Sequence, residues 1–268
     1  MLSMRNKKRK MKNKYKIMLI TFSLIIIGLV VFSYCFKDKK VHTLKKYYPA
    51  SKETVTFEYV IRDDDTIIEG KSIRYNEKGY KMNELNFVNN TLKGEGIYYK
   101  NGVIESKVYF IDSNRKAEIT WNYPNGVIEK YAFFSKYKEP IFLIDYDKNG
   151  PTKYEGHVIE EIYHGKLNSK KQRSIEENQY FKVGDTLIHQ YIIANIPKAK
   201  RSFKVENIGI DNAKVKRTIT PKPPTTIEVK EILTQKGKNT IRAVVKYEFK
   251  DNIVPPINDT LSFDVEVH

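Results

Sequence analysis

Cysteine is almost missing: Cys35 is the only one in 268 residues. A lone thiol closes no intrachain disulfide, and without a Cys/His cluster there is no basis for a structural zinc site. Stability has to come from burial and strand pairing. Acids are missing from residues 1–16, charges are missing from Ile17 to Phe36, and long apolar runs are missing from everything that follows. A Gly-x-Ser-x-Gly turn and a glycine-rich phosphate loop are missing as well, which removes the two short motifs that most directly signal hydrolase or nucleotide chemistry. Aromatic residues are not missing. The chain has 19 Tyr and 13 Phe within a 40% hydrophobic composition, enough apolar surface to exclude the disordered class.

The net charge of +16 points to nucleic acid until it is located. Eight Lys or Arg fall within residues 1–16, leaving +8 for the other 252 residues, where Lys166–Arg173 is followed at once by Glu176 and Glu177. No basic stripe interleaves with aromatics as a nucleic-acid groove requires, so no nucleic-acid partner is expected.

The clustered charge instead precedes 20 uncharged residues, Ile17 to Phe36. A helix of that length crosses about 30 Å of hydrocarbon. The run is longer than a secretory signal core, and Phe32-Ser33-Tyr34-Cys35-Phe36 offers no small-x-small cleavage site. Tyr34 also breaks the small-residue rule of lipoprotein signals. The upstream cations outnumber Lys37, Lys39, Lys40, Lys45 and Lys46, so the amino terminus should stay cytoplasmic and the rest lie outside the membrane.

Gly79, Gly102, Gly126 and Gly150 stand 23, 24 and 24 residues apart. Three of the four follow Asn, and Asn-Gly favours hairpin turns because both residues tolerate positive φ. Eight residues after each glycine come Phe87, Phe110, Phe134 and Val158, a predicted core column. Four residues before each come Tyr75, Tyr98, Asn122 and Tyr146, with Trp121 and Tyr123 flanking the exception. Between turns the residues alternate polar and apolar, so two strands of about eight residues plus two turns fill one period. Blocks such as Gly96-Ile97-Tyr98-Tyr99-Lys100-Asn101-Gly102 resemble the bacterial variant of MORN repeats over roughly residues 70–160. The resemblance implies successive hairpins adding to one elongated antiparallel sheet, and it carries over no catalytic residue. Proteins of this kind are often labelled antitoxin components.

Residues 165–178 read as a polar linker. Beyond them the glycine period stops, while period-two alternation continues at Phe203/Val205, Ile227/Val229, Ile241/Ala243/Val245 and Phe263/Val265/Val267. Six or seven short strands in about 90 residues suit a small immunoglobulin-like sandwich. The predicted fold is therefore all-β: a basic cytoplasmic tail (1–16), a transmembrane anchor (17–36), a juxtamembrane linker (37–53), a repeat domain (54–164), a linker (165–178) and a β-sandwich (179–268).

Chemistry is sparse. His157 and His164 lie near Glu155, Glu160 and Glu161, but positions seven apart on a strand face opposite ways. Asp63-Asp64-Asp65 has Glu69 too near to close a calcium loop. No catalytic, cofactor or metal residue is expected. The candidate binding face is the aromatic set Tyr75, Tyr98, Trp121, Tyr123 and Tyr146, either a stripe that stacks on sugars or a partner protein, or a packing ladder within the sheet. The sequence thus points to an extracytoplasmic binding or scaffold module. An antitoxin-like protein with a dedicated toxin partner, and an envelope hydrolase sited between the two β domains, are the alternatives.

Overall fold

The computed structural model describes residues 40–167, 180–250 and 255–268, and the expected anchor at 17–36 lies outside them. No helix among the described residues is long and apolar enough to cross a membrane. The architecture is all-β. The first sheet is built from β1 (His42–Tyr48), β2 (Glu53–Arg62), β3 (Asp65–Tyr75), β4 (Lys81–Val88) and the short β5 (Thr91–Leu92). It continues through β6 (Gly94–Lys100), β7 (Val103–Asp112), β8 (Arg115–Asn122), β9 (Ile128–Phe134), β10 (Pro140–Asp147) and β11 (Gly150–Gly156). The strands follow one another in chain order, each antiparallel to the last, with β5 alone off the path against β4.

Three of the repeat glycines, Gly79, Gly102 and Gly126, lie in turns at φ of +79°, +81° and +81°, and Gly150 opens β11 directly after its turn at φ of +134°, all four at the same end of their strands. Between β6 and β7 the turn is only Asn101-Gly102, with φ of +52° and +81°, since Lys100 pairs directly with Val103. A Cβ at Gly102 would meet nothing within 4 Å. The glycine is needed for its backbone angle alone, and Gly102→Val is expected to destabilise by about 1–3 kcal/mol in urea unfolding.

Two boundaries differ from the sequence reading. His42–Tyr48, expected in the juxtamembrane linker, pairs with β2 along its whole length and is the sheet's outer strand. Its residues are exposed on both faces apart from His42, so no apolar alternation marked it. Ile159–Lys166, expected as the end of the repeat domain and the start of the 165–178 linker, is a strand that leaves the long sheet altogether. The chain departs at Gly156, where a Cβ would lie 2.0 Å from the Ile141 carbonyl oxygen.

That segment is β12 (Ile159–Lys166), followed by β13 (Thr186–Ile193), β14 (Ala199–Asn207) and β15 (Arg217–Lys222). The last strands are β16 (Thr226–Ile232), β17 (Gly237–Phe249) and β18 (Ile257–Val267). They form a four-stranded sheet, β12-β13-β16-β15, and a three-stranded sheet, β14-β17-β18. Leu187, Tyr191 and Val229 of the first share one buried cluster with Ile241, Ala243, Val245 and Tyr247 of the second.

No disulfide ties these two sheets; an arginine does. From β15, Arg217 Nε donates to Glu231 on β16 at 2.7 Å, and its other nitrogens donate to the Val205 carbonyl at 2.7 Å and to Asn207, both on β14. Asn207 in turn donates to Glu231 at 3.2 Å. Glu231 and Asn207 are buried, so every polar atom of this staple depends on its partners.

The long sheet and the sandwich also share their core. Tyr131, Phe133, Phe142, Ile144 and Tyr146 from β9 and β10 belong to the same cluster as the sandwich interior. Glu118 on β8 locks the contact, accepting hydrogen bonds from the Tyr131 hydroxyl, from the Asn195 amide N–H at 2.6 Å and from Asn195 Nδ2 at 3.2 Å. Burial pushes the Glu118 carboxyl above the ordinary carboxylate range, against the hydrogen bonds from Tyr131 and Asn195. Folding therefore favours its protonated form. This contribution is fully present below the unfolded value of 4.5 and is lost as pH rises through the higher folded value. Glu118→Gln removes that dependence. The stability of the wild type relative to Glu118→Gln, from urea unfolding, is expected to fall as pH rises above the unfolded value of 4.5.

Candidate functional site

The register across the sheet decides what the aromatic column can do. A bulge interrupts the pairing just before every glycine turn, between Arg74 and Tyr75, Tyr98 and Tyr99, Trp121 and Asn122, and Asp145 and Tyr146. The extra residue of each bulge, Met82, Glu105, Glu129 or Thr152, is on the strand that follows the turn, so the strand carrying the column keeps its own alternation. In three repeats the tyrosine or asparagine of the column follows the bulge, whereas Tyr98 precedes it.

One continuous row consequently runs Arg74, Asn83, Tyr98, Ser106, Trp121, Lys130 and Asp145. Of the five predicted binding residues it contains only Tyr98 and Trp121. They sit two strands apart on one face with buried Ser106 between them, about 10 Å across. Both pack against the small cluster Val108, Phe110 and Ile119. Burial raises the Tyr98 hydroxyl pKa, consistent with a packing role.

The other three predicted residues go elsewhere. Tyr75 is half-buried beside the first turn. Tyr146 is 3% exposed beneath the sandwich, with its hydroxyl donating to the Pro197 carbonyl at 3.1 Å, and so is a joint between domains and not part of an open face. Tyr123 is 37% exposed and is the one member that faces solvent.

Trp121 and Tyr123 do meet, at a cleft of about 330 Å³ between the second and third glycine turns. Trp121, Tyr123, Pro124, Val103 and Ile104 form its apolar walls. Asn101, Asn122, Lys100, Glu105 and Glu129 supply its polar groups. The turns hold this shape. Gly126 N–H donates to the Tyr123 carbonyl at 2.8 Å, Val127 N–H to Asn125 Oδ1 at 3.0 Å, and the Tyr123 hydroxyl to the Tyr146 carbonyl at 3.3 Å. Lys100 and Glu105 form an exposed ion pair at 3.6 Å across the Gly102 turn. Val103, Ile104 and Pro124 do not stand out in the sequence because the cleft joins two turns 24 residues apart. The spacing itself was the available signal.

The histidines are structural in their surroundings. His164 Nδ1 lies 2.5 Å from Glu161, and its ring stacks on Phe263 with centroids 4.4 Å apart. His189 is buried, 2.7 Å from the Tyr191 hydroxyl, and burial holds its pKa down to about 3, so the ring is neutral. Among the described residues no group of three His, Cys, Asp or Glu side chains is placed to hold a metal. Where the long sheet meets the β15–β16 turn, a groove is lined by Tyr109, Phe110, Asp112, Arg115 and Pro223–Thr226. Asp112 is its one acid among the described residues, and Arg115 pairs with it at 2.7 Å.

No family model matches the chain, and no curated protein matches it significantly.

Proposed function

We propose that this is a membrane-tethered, extracytoplasmic binding module whose cleft at Trp121 and Tyr123 takes sugar rings of an envelope polysaccharide. One observation carries the reading: an indole and an exposed phenol ring stand together in an open cleft fringed with amides and carboxylates. Aromatic faces stack on the C–H faces of sugars, and Asn and Glu side chains pair with hydroxyls. The uncharged run at 17–36 and the cations before it support the tether and its direction. The sandwich supports an immunoglobulin-like reading. Its first, second, fifth and fourth strands make one sheet, and its third, sixth and seventh make the other.

The test separates binding from folding. Because Tyr123 is exposed, Tyr123→Ala should melt close to wild type yet lose retention on cell-envelope polysaccharide. The loss should be about 1 kcal/mol, roughly fivefold in Kd, for the missing ring. Tyr98→Ala should do the reverse, melting early while retention persists. Undiminished retention of Tyr123→Ala would move the ligand away from this cleft.

A further inference from the structure

Exposed apolar side chains collect where the sheet begins. Val41, Leu44, Tyr47 and Tyr48 are between 39% and 57% exposed, four large apolar residues within eight positions. Interleaved with them are Lys40, Lys45 and Lys46, all exposed. None of these three lysines is in an ion pair among the described residues, and Lys46 instead lies over the Tyr48 ring at 5.1 Å. The nearby acids are engaged elsewhere. Glu53 pairs with Arg74 at 3.5 Å, Glu77 pairs with Lys52 at 3.2 Å, and Glu58 accepts from the Lys71 amide at 2.8 Å. β1 is also the terminal strand of its sheet, so the backbone groups of its outer side have no strand partner among the described residues.

A basic, aromatic, open-edged strand has two obvious occupants, a second copy of the sheet or a lipid headgroup surface. Pairing two β1 edges would bring Lys45 and Lys46 against their own copies, the arrangement by which edge strands resist association. The chain length favours lipid. Only residues 37–39 separate the uncharged run from Lys40, and four residue steps reach at most about 14 Å. If 17–36 spans the bilayer, β1 has no choice but to lie at the headgroups. There Tyr rings and Lys side chains are the favoured interfacial groups, and anionic lipid attracts unpaired Lys.

We propose that β1 rests on the anionic headgroup surface of the membrane, with Lys40, Lys45 and Lys46 on phosphate groups and Tyr47 at the acyl boundary. This rests on the tether proposed above. The sheet then rises from the bilayer strand by strand. β6 is four spacings and β8 six spacings from β1, which holds the sugar cleft roughly 20–30 Å above the surface.

The test uses the full chain reconstituted into vesicles of mixed anionic and zwitterionic phospholipid carrying bromine on their acyl chains. Trp121→Phe clears the background, and a single reporter is placed by Tyr47→Trp or, at the exposed β9–β10 turn, by Tyr137→Trp. The Tyr47→Trp emission should lose most of its intensity to bromine while that of Tyr137→Trp is unchanged. Adding Lys40→Glu, Lys45→Glu and Lys46→Glu should restore the emission while the chain still floats with the vesicles after alkaline washing. A Tyr47→Trp chain that floats but is not quenched overturns the β1 contact and leaves the tether standing. Emission that follows protein density and not brominated lipid gives the edge to a second copy, and overturns it too. A chain stripped by alkaline washing overturns the tether and the contact together.

Discussion

Glu231→Ala is expected to destabilise the protein by about 3–5 kcal/mol, because it strands the Arg217 guanidinium inside the sandwich without its carboxylate. The Glu231 side chain is 0% exposed and that of Arg217 is 11% exposed, so water cannot replace the lost partner. Asn207 and Arg217 both donate to Glu231, and both would be left short of an acceptor. Arg217→Met with Glu231→Ala removes the uncompensated charge, so the double variant should be less destabilised than the sum of the two single variants. Urea unfolding of the four proteins gives this coupling directly. Additive losses would mean the staple is not a unit.

The second large effect is Phe133→Ala, again about 3–5 kcal/mol. Phe133 is 0% exposed and stands between Glu118 and Phe142 in the register, on the face that carries the core shared with the sandwich. Its neighbour Phe134 points the other way, is half-buried, and packs only against the smaller cluster around Phe110. Phe134→Ala should therefore cost clearly less. Equal losses, read from the same thermal or urea transition, would show that the sandwich does not rest on this face of the sheet.

That pair of phenylalanines marks how far the sequence could be read. The glycine spacing revealed the hairpins because a tight turn needs positive φ, a requirement stated by the residue itself. Phe110 and Val158 of the phenylalanine column are buried, whereas Phe87 and Phe134 are only half-buried. The aromatic column failed for a specific reason. Its spacing holds in the chain, but Tyr98 lines up across the sheet with Asp145 and not with Tyr146, so the two side chains face opposite ways. β1 was hidden because an edge strand exposed on both faces has no apolar period to display. The Arg217 staple was hidden because Asn207 and Val205 come to it from the opposite sheet, a proximity that no sequence spacing announces.

Trp121 is the only tryptophan in the chain, so emission excited at the red edge, where the 19 tyrosines do not absorb, reports on the cleft. The decisive measurement is a titration of the full chain in detergent with soluble fragments of envelope polysaccharide. Stacking of a sugar on the indole should shift and change the emission saturably, and Tyr123→Ala should weaken that response. An emission that stays constant while the same polysaccharide retains the chain would contradict a binding cleft at Trp121 and Tyr123.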